Sequence, residues 1–201
     1  PLDFAQRYRE TLLYNTYVMG RNAIRKGSTD TWTTYPRRIA EVKAEIAKAM
    51  KTESIDPRTV AGGRAQTVPT QYYDLLRRPE WRDPRAYILP ADAGDFLTAT
   101  KFVNIMIKSG LTAERATSPL TVAGKPYPAG SYVFKAAQAY RPHLLDMFEP
   151  QDHPNDLQYP GGPPLPPYDN SGWTLAYQMG LKFDRVFENV EGLLERLADV
   201  V

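Results

Sequence analysis

The stretch from Arg85 to Glu149 constrains the fold more than any other part of this chain. It opens with an apolar run short enough for a strand, Ala86 to Leu89, and continues into a longer apolar-periodic segment, residues 93–109, that suits a helix. Asp92 stands where an N-cap is wanted, Asp95 serves as the acidic half of a capping box, and Gly110 supplies a left-handed stop. Phe96, Thr100, Val103 and Ile107 share one stripe, widened by Leu97, Ile105 and Met106, so the helix is expected to pack on a sheet. A second strand follows from Thr112 to Ala116, then a two-residue hairpin turn in Val122-Ala123-Gly124-Lys125. The third strand, Ser131 to Ala136, carries Tyr132-Val133-Phe134, a run that suits burial on both faces. A strand, helix, strand order with a connection of this length implies a right-handed crossover and parallel neighbours, Ala86–Leu89 beside Thr112–Ala116. The predicted fold is α/β, a small, mostly parallel, Rossmann-like sheet preceded by a helical segment.

That helical segment fills residues 1–82, and the α/β domain residues 83–201, with a boundary at the Pro79 to Pro84 turn. Leu2 to Asn22 repeats Phe4, Tyr8, Leu12, Tyr14, Tyr17 and Val18 near the helical period. Tyrosines on such a face either stack substrate or, more ordinarily, sit in a core or interface with their hydroxyls at its edge. Gly27-Ser28-Thr29-Asp30 breaks the helix, and Pro36 opens the next, with Ile39, Val42, Ile46 and Met50 as its buried stripe. Its Lys and Arg residues are interleaved with Glu41, Glu45 and Glu53, which makes a solvated face and not a basic patch. A third, short helix runs from Pro69 to Arg77 after the Gly62-Gly63 break.

Beyond the third strand, Pro142 to Phe148 reads as a short helix. Residues 150–172 then hold seven Pro and three Gly, which exclude helix and interior strand. Such a loop is a flexible tether or a fixed wrap; Leu157, Tyr159, Leu165 and Tyr168 favour a polyproline-like wrap with its aromatic residues against the α/β core. A helix from Trp173 to Met179, a strand from Phe183 to Phe187 and an amphipathic helix from Val190 to Val201 complete the expected order.

The composition narrows the chemistry. With 25 Lys plus Arg against 23 Asp plus Glu, the chain lacks the basic field that nucleic-acid binding needs. There is no Cys, hence no disulfide, thiolate zinc site or cysteine nucleophile, and no apolar run is long enough to span a membrane. The two histidines are His143 and His153; His143 and Asp146 share a helical face, with Asp152 close to His153, but Leu144 and Leu145 between the first pair mark a packed helix and not a zinc site. G-x-S-x-G is absent, and Gly124, Gly130 and Gly161-Gly162 form no phosphate loop. No catalytic residue and no metal ligand is assigned. In open α/β sheets ligands collect at the carboxyl ends of parallel strands, which would bring Asp92 beside Gln138, Tyr140 and Arg141, groups able to hold a carboxylate or a backbone amide. The alternative is that Arg141 and Asp92 pair or cap.

The phrases Ala86 to Asp92, Glu114 to Thr117, Gly124 to Val133, Ala137 to Pro142, Glu149 to Pro154 and Tyr159 to Gly180, together with Asp30-Thr31-Trp32-Thr33, resemble the region following the catalytic domain in large bacterial zinc carboxypeptidases of the carboxypeptidase A type. The resemblance covers nearly the whole chain. That family holds its zinc with His-x-x-Glu and a distant second His; this chain has no His-x-x-Glu, so no catalytic residue carries over. The resemblance implies a fragment of a secreted or periplasmic metallopeptidase: an accessory α/β region, related to glutamine amidotransferase-like folds, that supports the catalytic domain or helps to hold peptide substrate. Zinc is implied for the parent catalytic domain and no cofactor for this chain. The alternative is an independent small-ligand binding module using the strand-end crevice.

Overall fold

A computed structural model describes residues 2–52, 71–151, 153, 156–169 and 171–199. They fall into two compact units, one built from residues 1–31, 84–151 and 170–201, the other from 32–83 and 152–169.

The first unit is the α/β unit. Its helices are α1 (Leu2–Gly27), α4 (Phe96–Lys108), α5 (Arg141–Phe148) and α6 (Leu175–Gln178); α2 (Pro36–Thr52) and α3 (Gln71–Asp74) lie in the second unit. Its strands are β1 (Ala86–Leu89), β2 (Glu114–Ala116), β3 (Leu120–Val122), β4 (Lys125–Tyr127), β5 (Tyr132–Lys135), β6 (Asp184–Val186) and β7 (Leu194–Arg196). Five of them form a sheet in the order β6-β1-β5-β2-β7, and β3 and β4 form a separate ribbon.

Every neighbouring pair in the five-stranded sheet is antiparallel, which overturns the expectation of a mostly parallel, Rossmann-like or glutamine amidotransferase-like sheet. β1 and β2 do point the same way, as the helix crossing between them requires. They are not neighbours, however, because β5 lies between them and runs against both, pairing Tyr87 with Phe134 and Glu114 with Val133. An apolar run reports burial on both faces and carries no strand polarity. β1 is buried along its whole length because the sheet is covered on both sides, by α4 and α5 on one and by the β3–β4 ribbon on the other. The hairpin was legible: Ala123 and Gly124, at φ 50 and 78, form the left-handed pair that suits strand twist.

Alternation along each strand sends residues to opposite faces. Tyr87, Leu89, Tyr132 and Phe134 join Ala99, Phe102, Val103 and Met106 of α4 and Leu144 and Phe148 of α5 in one cluster. Ala86, Ile88, Val133 and Val186 meet Leu120, Val122 and Tyr127 of the ribbon in the other. The first is rich in rings: Phe148 stacks on Tyr87 at 4.2 Å between centroids and meets Phe102 edge-on at 5.1 Å. Tyr87 keeps its hydroxyl satisfied by donating to Glu149 Oε1 at 2.7 Å.

α4 is capped by Asp95, whose Oδ1 accepts from Thr98 N at 3.0 Å; Asp92 lies one turn earlier, outside the helix. Its buried residues are Ala99, Phe102, Val103 and Met106, and Leu97 and Ile105 are exposed. Gly110, at φ 91, ends the helix with Gly110 N donating to Ile107 O and Leu111 N to Met106 O. The expected C-terminal helix is instead strand β7, paired with β2, because Gly192 at φ 149 breaks the periodic run and Leu194 is drawn into the ribbon-side core.

α1 docks by its last third alone. Gly20, Ala23 and Gly27 follow one face; a Cβ at Gly27 would lie 2.0 Å from Ala136 O, so only glycine permits this approach. Arg85 Nε donates to Gly27 O at 3.1 Å and Arg141 Nη2 to Thr31 Oγ1 at 3.2 Å, two cations placed at the C-terminal end of the helix, where its dipole favours positive charge.

The second unit holds α2 (Pro36–Thr52), α3 (Gln71–Asp74) and two short 3-10 turns, with Val42 and Tyr72 buried. Ile39 is exposed; the Met50 side chain, the Gly62-Gly63 break and Pro69 lie outside the described residues. Polar clasps hold it: Asp83 accepts from Thr33 N at 3.0 Å and Thr33 Oγ1 at 2.7 Å, and Trp32 Nε1 donates to Arg78 O at 2.8 Å. Glu45 holds the Arg78 guanidinium, which lies over Trp81 at 4.9 Å and is kept firmly protonated by that carboxylate. The proline segment is no aromatic wrap: Leu157, Tyr159, Leu165 and Tyr168 are all exposed. Prolines and glycines let this segment order on itself, through a Leu157–Pro164 bridge, without burying those side chains.

Candidate functional site

The antiparallel sheet divides the four residues proposed from sequence. Asp92 follows the carboxyl end of β1, whereas Gln138, Tyr140 and Arg141 follow the carboxyl end of β5, which points the opposite way. They are therefore at opposite ends of the sheet. At the β5 end their roles are structural. Gln138 Oε1 accepts from Thr112 N at 2.8 Å and its Nε2 donates to Lys135 O at 2.7 Å, tying β5 to the start of β2. Tyr140 covers Gly110, 3.2 Å from where a Cβ would stand, and Arg141 is buried against the end of α1. Thr112, Glu114, Lys135 and Gln138 enclose a space of about 110 Å³, in which Lys135 Nζ meets Glu114 Oε2 at 2.9 Å.

The larger opening is at the other end. Pro90 to Gly94 turn away from β1, Gly180 at φ 65 stops α6 and sends the chain into β6, and Lys125 projects from the ribbon. Together with Tyr177, Lys182, Phe183 and Arg185 they line a crevice of about 680 Å³. Its charges are arranged in layers. Asp184 Oδ2 meets Lys125 Nζ at 2.7 Å. The buried Tyr127 phenol is pushed up to about 12, first by burial and then by the Asp184 carboxylate. Arg185 Nε donates at 2.8 Å to Glu149 Oε1, the same oxygen that serves Tyr87. Lys182 makes no ion pair with a described residue, and Asp92 is exposed at the rim.

The half-exposed Tyr177 ring, edge-on to Phe183 at 5.4 Å, borders this crevice and a second of about 460 Å³, lined by Pro150, Gln151, Trp173, Thr174 and Gln178. Thr174 holds a left-handed φ of 52 and ψ of 40, a strain of about 1–3 kcal/mol, while its N–H donates to Asp146 O at 3.0 Å. The two openings offer aromatic faces, amides and one uncommitted ammonium, a set that suits an extended ligand bearing a carboxylate and apolar groups. Of the sequence-derived residues only Asp92 lines them. Lys125, Tyr177, Lys182 and Asp184 belong to no motif; their assembly depends on β6 pairing with β1, which adjacency in sequence does not announce.

The zinc chemistry of the resembled family does not fit the residues present. His143 Nε2 is bonded to Ser109 Oγ at 3.1 Å, Asp146 accepts from Gln151, His153 belongs to the second unit, and Asp152 lies outside the described residues. Among the described residues no three His, Cys, Asp or Glu side chains gather in a group able to hold a metal ion, and no helix is long and apolar enough to cross a membrane. No family model, curated protein or solved structure matches the chain.

Proposed function

We propose that this chain is a non-catalytic accessory region of a bacterial, secreted or periplasmic zinc carboxypeptidase-like metallopeptidase, docking on the catalytic domain through α1 and offering its crevice to peptide substrate. The observation that carries this reading is the bare length of α1. From Leu2 to Tyr17 every residue is exposed, and apolar side chains lie on two sides of the helix, Phe4, Tyr8 and Leu12 on one and Leu13 and Tyr17 on the other. A helix apolar on two sides is built for two neighbours, yet within this unit its buried residues are Ala23 and Gly27. Aromatic rings bury about 150–250 Å² each when fully covered. Phe4, Tyr8, Tyr14 and Tyr17 with the intervening leucines thus supply much of the roughly 800 Å² per partner of a specific interface. The sequence resemblance names the partner, and Lys182 beside Tyr177 suits a peptide carboxylate and its neighbouring side chain.

The test starts from the reading frame that precedes Pro1. The expected result is a signal segment and a His-x-x-Glu domain, whose separately produced polypeptide binds this chain and loses it on Leu13→Glu with Tyr17→Glu. A frame lacking that domain, with a chain that binds small carboxylates on its own, would establish the independent ligand module instead.

A further inference from the structure

The segment Pro163 to Tyr168 is a chain surface with an unusual inventory of hydrogen-bonding groups. Four of its first five residues are prolines and donate nothing, and the one N–H among those five, that of Leu165, is spent on Asp156 O at 2.8 Å, which leaves the Tyr168 N–H at the far end as the segment's other backbone donor. A strand edge cannot read such a segment, because strand pairing needs donors from both partners. What remains is a row of carbonyls and proline rings, with Leu165 half exposed and Tyr168 fully exposed.

The segment is also held in place. Leu157 bridges Pro164, Gln158 N donates to Pro163 O at 3.0 Å, and the turn Tyr159-Pro160-Gly161-Gly162 is closed by Gly162 N donating to Tyr159 O at 2.8 Å. Pro160 sits where a turn wants a fixed φ and Gly161, at φ 76, where it needs a left-handed one. The Tyr159 ring lies over Gly162, 2.7 Å from where a Cβ would be. The hairpin thus spends Tyr159 on its own turn and leaves Leu165 and Tyr168 outward.

We infer that Pro163–Tyr168 is a recognition segment, read by an aromatic-lined groove on a partner protein whose flanks are neutral or basic. Pro163 and Pro166, and again Pro164 and Pro167, stand three apart, the spacing at which extended proline-rich ligands seat successive rings between aromatic side chains. Indole N–H and phenol O–H groups on such a groove supply the donors that the segment lacks. Charge sets the flanks: between Pro150 and Leu181 there is no Lys or Arg, while Asp152, Asp156 and Asp169 are acidic, so an acidic rim repels this ligand. Ordering by the hairpin lowers the entropy lost on binding.

The experiment titrates the isotope-labelled full chain with two isolated probes, a WW domain with basic groove flanks and an SH3 domain with an acidic rim, following amide shifts. Saturable binding of the WW domain is expected, with shifts confined to residues 156–169 and weaker binding of the SH3 domain. Leu165→Ala with Tyr168→Ala should weaken it by about tenfold or more, and Gly161→Val, which opens the turn, by several-fold. A melting curve shared by all variants shows that the fold is retained. Absence of saturation by the WW domain, shifts outside the segment, or a double variant that binds as well as the parent chain would overturn the inference.

Discussion

The two faces of the five-stranded sheet are equally dry but differently built. Under α4 and α5 the strands present Tyr87, Tyr132 and Phe134, and Phe102, Phe148 and Phe183 fill the space among them. Under the ribbon they present Ala86, Ile88, Val133 and Val186, and a single ring, Tyr127, enters from the cover. A helix leaves deep gaps that large rings fill. A two-stranded ribbon packs flat, at about 10 Å from the sheet, where aliphatic side chains suffice. Burial on both sides of a strand therefore reports that two covers exist, and says nothing of whether its neighbours run parallel.

If this contrast governs stability, its largest signature is Phe148→Ala, which removes the ring shared by Tyr87, Phe102 and Phe134. About 3–5 kcal/mol of loss in denaturant unfolding is expected. Val133→Ala, at 0 % exposure on the ribbon face, should cost about 2 kcal/mol, the transfer of two methyl groups plus a small cavity. Equal losses at the two sites would erase the contrast. The third signature is confined to alkaline solution. The Tyr127 phenol is raised from 10.0 to about 12 in the folded chain, so its stabilisation is whole below about pH 10 and is lost as pH rises through about 12. Tyr127→Phe should flatten the fall in melting temperature across that window; an unchanged fall would mean that the ribbon face does not control it. The smallest effect belongs to the helical face. Asp95 is held below its ordinary 3.8 by bonds from the Thr98 side chain and backbone, a contribution present above that value and lost as pH falls below it. Asp95→Ala should remove this acid-side dependence, read as a slight lowering of the melting temperature at neutral pH that vanishes in acid.

The sequence carried what is local. β1 from Ala86 to Leu89, the Ala123-Gly124 turn, the Gly110 stop and the breaks at Gly27 and Gly180 all follow from backbone preferences of a few adjacent residues. What it did not carry is set by pairing between distant segments. β5 lies between β1 and β2, and β7 forms from residues with helical periodicity because β2 offers an unpaired edge. The candidate site inherits this division: Asp92 was within reach of a local argument, whereas Lys125, Tyr177 and Asp184 meet only after β6 has joined β1.

Both outermost strands of the sheet, Asp184–Val186 and Leu194–Arg196, are three residues long and carry charge, Asp184 and Arg185 on one side, Glu195 and Arg196 on the other. Their short ladders give an incoming extended chain few backbone groups to pair with, and any stack of copies would have to align these charges against one another. The apolar strands of this sheet are thereby confined to its centre, so its growth into β-rich aggregates is opposed at both edges while the native chain remains folded.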